Sequence, residues 1–169
     1  QLLGMPFALD LSFHRVKEST ILFSMPDTLI TPIDTMAKMV EHHQNSGADI
    51  TLGLFPTNTP HKFGMVKLNE DGQISDFIDK PRQTNLKLMW GCAAWSAKFT
   101  QFMHKYLAGL STLSKEVVLS DLFLAALEAG YYFEPFQVKN GHYHDIGTPE
   151  SFQAAVYDLA LQQSSSGID

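Results

Sequence analysis

Two aspartates stand where an α/β chain places groups that meet ligands. Asp27 lies in Met25-Pro26-Asp27-Thr28, just past the short apolar run 20–24, and Asp145 closes the run 142–145 ahead of Ile146-Gly147. In open α/β sheets ligands collect at the carboxyl ends of strands. Two carboxylates from distant parts of a chain can hold one hard divalent cation. Mg2+ asks for one or two carboxylates and takes its other ligands from water and phosphate oxygens. Such an ion neutralises charge on a phosphate under attack. A structural reading accounts for each residue as well, Asp27 as a turn residue behind a proline and Asp145 as an Asx turn before a helix. Lys80, in Asp79-Lys80-Pro81, follows a strand and offers an ammonium to a phosphate. A solvated loop lysine explains it too. Gly64, in Phe63-Gly64-Met65-Val66, and Gly91, between Trp90 and Cys92, interrupt strands. A glycine there marks a bulge, the close approach of a ligand to backbone, or tight strand packing.

Other chemistries find less. His142 and His144 share one face of a strand, with Asp145 on the opposite face, and His42 and His43 lie on a helix. A zinc site drawn from these has no HExxH or CxxC spacing behind it, and surface or edge-strand roles explain the histidines. No serine sits in a Gly-x-Ser-x-Gly elbow, and the one cysteine, Cys92, lies in an apolar run. A nucleophilic hydrolase therefore has no support. An Asp-x-Asp triplet, the usual metal site of a glycosyltransferase of related shape, is absent as well.

These residues need elements to position them, and 169 residues with 44% hydrophobic and 18% charged suffice for one domain with a real core. The expected domain covers 1–163, with 164–169 as a flexible serine-rich tail. A formal charge of −6 argues against a nucleic-acid partner. A single cysteine fits a reducing compartment. No run is apolar enough for a bilayer and no signal segment opens the chain, so the expectation is a soluble, cytoplasmic protein without a membrane partner. Helical spacing is read at 5–18, at 33–46 with Ile33, Met36, Ala37, Met39 and Val40 on one side, at 97–108 and at 119–129 with Ser120 as cap. Strands are read at 20–24, 50–55, 62–68, 73–78, 87–95, 131–138 and 142–145. Asn69-Glu70-Asp71-Gly72 looks like a hairpin turn, Gly47 like a helix stop, and Thr148-Pro149-Glu150 like the start of a last helix. The alternation predicts an α/β fold: a Rossmann-like, mixed but mostly parallel sheet with helices on both faces.

Taken in order, the motifs resemble the bacterial sugar-1-phosphate nucleotidyltransferases, the family of glucose-1-phosphate thymidylyltransferase and its uridylyl and mannose-1-phosphate relatives. The strand and Asp27 resemble that family's Gly-Asp-Asn segment, whose aspartate binds Mg2+. Gly47-Ala48-Asp49-Ile50-Thr51-Leu52 resembles its Gly-Ala-Asp-x-Thr, and Phe63-Gly64-Met65-Val66 its Tyr-Gly-Val-Val, where backbone meets the sugar. Asp79-Lys80-Pro81 resembles Glu-Lys-Pro, whose lysine contacts the sugar phosphate. Trp90-Gly91 stands where the family has Thr-Gly. Tyr143-His144-Asp145-Ile146-Gly147-Thr148-Pro149 resembles Trp-x-Asp-x-Gly-Thr-Pro, source of the second Mg2+ carboxylate. Gly4-Met5 and Ala8 resemble the Gly-Leu-x-x-Ala segment that brushes the nucleotide.

The resemblance implies Mg2+ held by Asp27 and Asp145, Lys80 on the phosphate, and substrate contacts at Gly4, Gly64, Asp79, Gly91 and Tyr143. The implied substrates are a nucleoside triphosphate and a sugar 1-phosphate. The implied products are an NDP-sugar and pyrophosphate. The departures are Pro26, Thr28, Asp79 for glutamate, and Trp90 for a small threonine. No two glycines lie closer than six positions, so the family's Gly-x-Gly-x-Arg phosphate loop has no counterpart in these residues. The first strand and that loop are expected to lie ahead of Gln1, leaving a fragment of weak or no activity. The alternative is a truncated, non-catalytic domain that binds sugar phosphate or nucleotide sugar, or a homo-oligomer covering an exposed sheet edge.

Overall fold

A computed structural model describes residues 3–110 and 115–166. In chain order its strands are β1 (Ile21–Ser24), β2 (Thr28–Thr31), β3 (Ile50–Pro56), β4 (Gly64–Leu68), β5 (Ile74–Asp79), β6 (Leu88–Trp95), β7 (Phe133–Gln137) and β8 (His142–Asp145). The helices are α1 (Met5–Asp10), α2 (Phe13–Val16), α3 (Thr35–Ser46), α4 (Ala97–Ala108), α5 (Leu119–Glu128) and α6 (Pro149–Ser166). Six strands form one sheet in the order β5-β4-β6-β3-β7, with β1 also on β6, and β2 pairs with β8 apart from it.

The α/β class and the mixed sheet agree with the sequence reading, but the balance of strand sense is reversed. Among the described residues only β3 and β7 pair in parallel, and the other ladders are antiparallel. Strands β1, β3 and β7 do run the same way. Strand β6 returns after β5 and inserts antiparallel between β1 and β3. Strands β4 and β5 form a hairpin, which short connections can make only antiparallel. Its turn is the expected one, closed by Gly72 N–H to the Asn69 carbonyl at 3.0 Å.

Both faces of the sheet are covered, which is why β3 reads as an unbroken apolar run. On one face Ile50, Leu52, Leu54, Ala93 and Trp95 pack against Phe99 and Met103 of α4 and Leu122, Phe123 and Ala126 of α5. On the other, Met39 of α3 packs with Phe55, Met65, Met89, Cys92 and Ala94. Polar groups inside find partners, as buried groups must. Trp95 Nε1 donates to Thr100 Oγ1 at 3.0 Å, and the His43 Nδ1 and Thr51 Oγ1 atoms lie 2.8 Å apart.

Local departures have local causes. The helix expected over 5–18 breaks into α1 and α2 at Leu11-Ser12, where Ser12 Oγ bonds the Leu9 carbonyl at 2.7 Å. Ile33 is 97% exposed and outside α3, which starts at Thr35. Ser120 is not the cap of α5. The Val118 N–H is capped by Asp121 Oδ2 at 3.1 Å, and Ser120 is buried in the first turn. Helix α6 runs to Ser166, and 167–169 lie outside the described residues. Gly47, at φ 67°, ends α3 as expected.

Candidate functional site

Strand β2, absent from the strands read in the sequence, is the element that assembles the carboxylates. It pairs antiparallel with β8, so that Thr28 faces Asp145. The ladder continues one step further, with Ile146 N–H donating to the Asp27 carbonyl at 2.8 Å. Asp27 and Asp145 are therefore brought to the same end of one two-stranded ladder, and both are exposed there. Gly147 lies between their carboxylates. Asp27 Oδ2 and Asp145 Oδ1 are 2.9 and 3.2 Å from the point a Cβ at 147 would occupy. Gly147 N–H also donates to Asp145 Oδ1 at 2.9 Å, so the Asx turn exists, and it aims the carboxylate.

Beside this pair is a cavity of about 230 Å3, lined in part by Met25, Lys62, Gly64, Asp79, Lys80, Trp90, Gly91 and Tyr143. Tyr143 joins the two features. It sits in β8 two residues before Asp145, its phenol and Thr28 Oγ1 are 3.0 Å apart, and its ring forms cavity wall. Burial pushes its phenol above the usual range. The hydrogen bond with Thr28 opposes this, and the nearby charges of Asp145 and Asp27 add to it. Gly91 makes room for that ring. A Cβ there would overlap Tyr143 and come within 3.0 Å of Phe55. The β3–β6 register also skips Gly91, passing from Cys92 to Trp90, so the glycine is the extra residue of a bulge.

Lys80 caps the exposed end of β5 with a left-handed backbone, φ 44°, and its N–H donates to the Phe63 carbonyl at 3.0 Å. That conformation costs a non-glycine residue about 1–3 kcal/mol. Asp79 precedes it and pairs with Gly64 across the hairpin. A Cβ on Gly64 would overlap the Trp90 indole and lie 3.0 Å from Ser120 Oγ. Lys62 is a second lysine on the cavity that the sequence reading passed over; only its place two residues before Gly64 hinted at it. Gly4 does not line this cavity. It borders the neighbouring groove of Met5, Phe7, Ala8 and Leu11, and at φ 97° it lies against the Val117 carbonyl, where a side chain has no room.

Residues 6–162 match the family model described as nucleotidyl transferase. The chain belongs to the nucleotidyl transferase family. It is 27% identical over 140 residues to a glucose-1-phosphate adenylyltransferase small subunit, chloroplastic/amyloplastic, from Triticum aestivum, a match that covers 70% of this chain and 29% of the wheat protein. A crystal structure assigned as a glucose-1-phosphate thymidylyltransferase from Bacillus anthracis, in complex with sucrose, superposes with a TM-score of 0.77 at 19% identity. That match covers 92% of this chain and 60% of the other. HddC from Yersinia pseudotuberculosis, solved with GMP-PN, gives 0.64 at 18%, over 94% of this chain and 64% of the other. At such identities the structural matches establish the fold. The chain thus spans under two thirds of the length of each of these relatives.

The remaining candidates of this nucleotidyl transferase domain are structural. His142 and His144 stack at 5.9 Å between ring centroids, on the face away from Asp145. Among the described residues no group of three or more His, Cys, Asp or Glu is placed to hold a metal, which leaves the zinc hydrolase reading without a site. His42 pairs with Glu134 at 3.0 Å. His43 is buried, and burial lowers its pKa. Burial pushes the Cys92 thiol up to about 12, the wrong direction for a nucleophile. Among the described residues no helix is long and apolar enough to cross a membrane. Two exposed carboxylates with oxygen-only donors, open to water on one side, suit Mg2+, which needs few protein ligands.

Proposed function

We propose that this site is the sugar-phosphate and metal side of a nucleotidyl transfer centre. An oxygen of a sugar 1-phosphate attacks the α-phosphorus of a nucleoside triphosphate, the bond from that phosphorus to the bridging oxygen breaks, and pyrophosphate leaves with its electron pair. The products are an NDP-sugar and pyrophosphate. The observation that carries the reading is the convergence of Asp27 and Asp145 on Gly147, next to a cavity edged by Lys80 and Lys62. Asp27 and Asp145 would hold Mg2+, which when bound neutralises charge on the phosphates. Lys80 orients the attacking phosphate, and Lys62 adds a second positive charge. Tyr143 and Gly91 shape the wall, and Asp79 offers an acceptor at the mouth. No covalent enzyme intermediate is needed; positioning and charge compensation supply the acceleration. A cytoplasmic setting belongs to the same proposal, since the reaction draws on nucleoside triphosphates.

No closely spaced glycines within these residues supply main-chain donors to a triphosphate. Turnover by this chain alone is therefore expected to be slow, and the test combines rate with binding. Pyrophosphate release is measured over a panel of triphosphates and sugar 1-phosphates with Mg2+, and sugar-phosphate binding is followed by ligand-observed NMR. Asp145→Asn keeps the oxygen that accepts the Gly147 N–H and removes the charge. It should leave the fold intact and lower Mg2+-dependent turnover on the order of a hundredfold. A folded wild-type chain that neither binds a sugar 1-phosphate nor releases pyrophosphate refutes the reading, as does activity that survives Asp145→Asn within a few-fold.

A further inference from the structure

Trp90 fills volume on the cavity wall between Gly64 and Gly91, which carry no side chain. With the indole in place the cavity holds about 230 Å3, below the roughly 300–1,000 Å3 of most small-ligand sites. The ring is held on several sides. Its Nε1 donates to Ser120 Oγ at 3.3 Å. Phe123 meets it edge to face at 5.3 Å between centroids, and Phe23 lies at 6.4 Å. Against Gly64 the indole occupies the space a side chain would need, with Cδ1 3.0 Å from the missing Cβ. Glycine at 64 admits the indole, and α5 locks it there. A close-packed side chain of this kind does not swing aside for a ligand at small cost.

We infer that Trp90 sets an upper size limit on the sugar, so that the cavity takes an unsubstituted hexose 1-phosphate and rejects one carrying an acetamido group. The inference rests on the sugar-phosphate reading of the site and narrows it to a substrate class. The lysines at 62 and 80 meet the phosphate, and Asp79, Glu116 and Ser120 offer partners to hydroxyls. Trp90, Phe63 and Tyr143 give apolar surface to the C–H faces of a ring. On this inference the space that an amide substituent would need is the space beside Gly64 that the indole fills.

Titration calorimetry compares glucose 1-phosphate with its 2-acetamido and 4-acetamido counterparts, on the wild-type chain and on Trp90→Thr. One group too many at a rigid wall is worth about 10–200-fold. The wild type should bind glucose 1-phosphate at least about tenfold more tightly than either acetamido sugar, and Trp90→Thr should bring at least one of them within about threefold. Should Trp90→Thr fail to fold by circular dichroism, Trp90→Phe, which keeps a ring against Phe123, should narrow the same gap in part. Equal wild-type binding of either acetamido sugar, or unchanged gaps in the folded variant, overturns the size limit alone. A folded wild type that binds none of the three removes the sugar-phosphate reading and the size limit together.

Discussion

Replacing Gly147 by alanine should move the fold and the site in opposite directions. Gly147 does not use the left-handed backbone region, so alanine meets no backbone penalty there. Its methyl would stand 2.9 Å from Asp27 Oδ2, 3.2 Å from Asp145 Oδ1 and 3.7 Å from Asp27 Cγ. The closest of these is the tip of an exposed side chain, which can turn away cheaply. Alanine also narrows the unfolded ensemble, worth about 0.4–1 kcal/mol to the native state, or about 1–4 °C in Tm for a chain of this size. The proposed metal site has no such freedom. Mg2+ holds its oxygens at about 2.0–2.1 Å in a near-octahedral shell, and a methyl between the carboxylates displaces one of them by several tenths of an ångström. Affinity should fall on the order of tenfold, about 1.4 kcal/mol. Mn2+ serves as a paramagnetic stand-in, sensitive to weak binding through broadening of the Ile146 and Gly147 amide signals. Thermal unfolding without metal reads the fold. Unchanged Mn2+ affinity in Gly147→Ala would show that the carboxylates do not share a cation there, and a loss of more than about 2 kcal/mol in stability would show that the fold does not accommodate the methyl.

Two further outcomes follow from strained or buried groups. Lys80→Gly removes a left-handed backbone penalty, so stability should hold or rise by up to about 1 kcal/mol. Binding of glucose 1-phosphate should nevertheless fall at least about fivefold, since the phosphate loses a charged donor; chemical denaturation and calorimetry check the pair. For Cys92 the unfolded thiol releases its proton near 9.0 while the native one keeps it to about 12. The native state then binds more protons, and stability declines as pH rises through that window, by up to about 1.4 kcal/mol per unit. Urea unfolding from pH 8 to 10.5 should show this extra slope in the wild type and lose it in Cys92→Ala.

Much of the fold was legible because the strongest patterns are local. Strand β3 reads as a continuous apolar run, α4 and α5 by period, and α6 by its threonine cap and first-turn proline; Ser151 N–H indeed bonds Thr148 Oγ1 at 3.1 Å. Strand β2 was not legible. Thr28-Leu29-Ile30-Thr31 is short, ends in a proline, and is a strand only because β8 lies against it. The sense of the sheet was lost for a related reason. Nothing in residues 88–95 says that they insert between two strands that precede them in the chain. Ser120 looked like a cap by type, yet its hydroxyl is taken by Trp90, thirty positions away.

The same non-locality explains why the candidate site was readable as residues and unreadable as contacts. Gly64, Gly91 and Gly147 each stood in or near a motif, and for Gly64 and Gly91 ligand approach and tight packing competed as the explanation. The structure supplies the packing. Gly64 is bare because Trp90 fills its space, Gly91 because Tyr143 does, and Gly147 because two carboxylates close over it. In every case the crowding side chain edges the cavity or its neighbouring carboxylate pair. A glycine in this domain can thus be required by packing and still govern ligand binding, if what it packs against is the binding surface proposed above. Substitution at these glycines should then act first on ligand size and metal affinity. Equivalent changes at Gly72 or Gly130, where a Cβ would meet nothing within 4 Å, should act on backbone conformation alone.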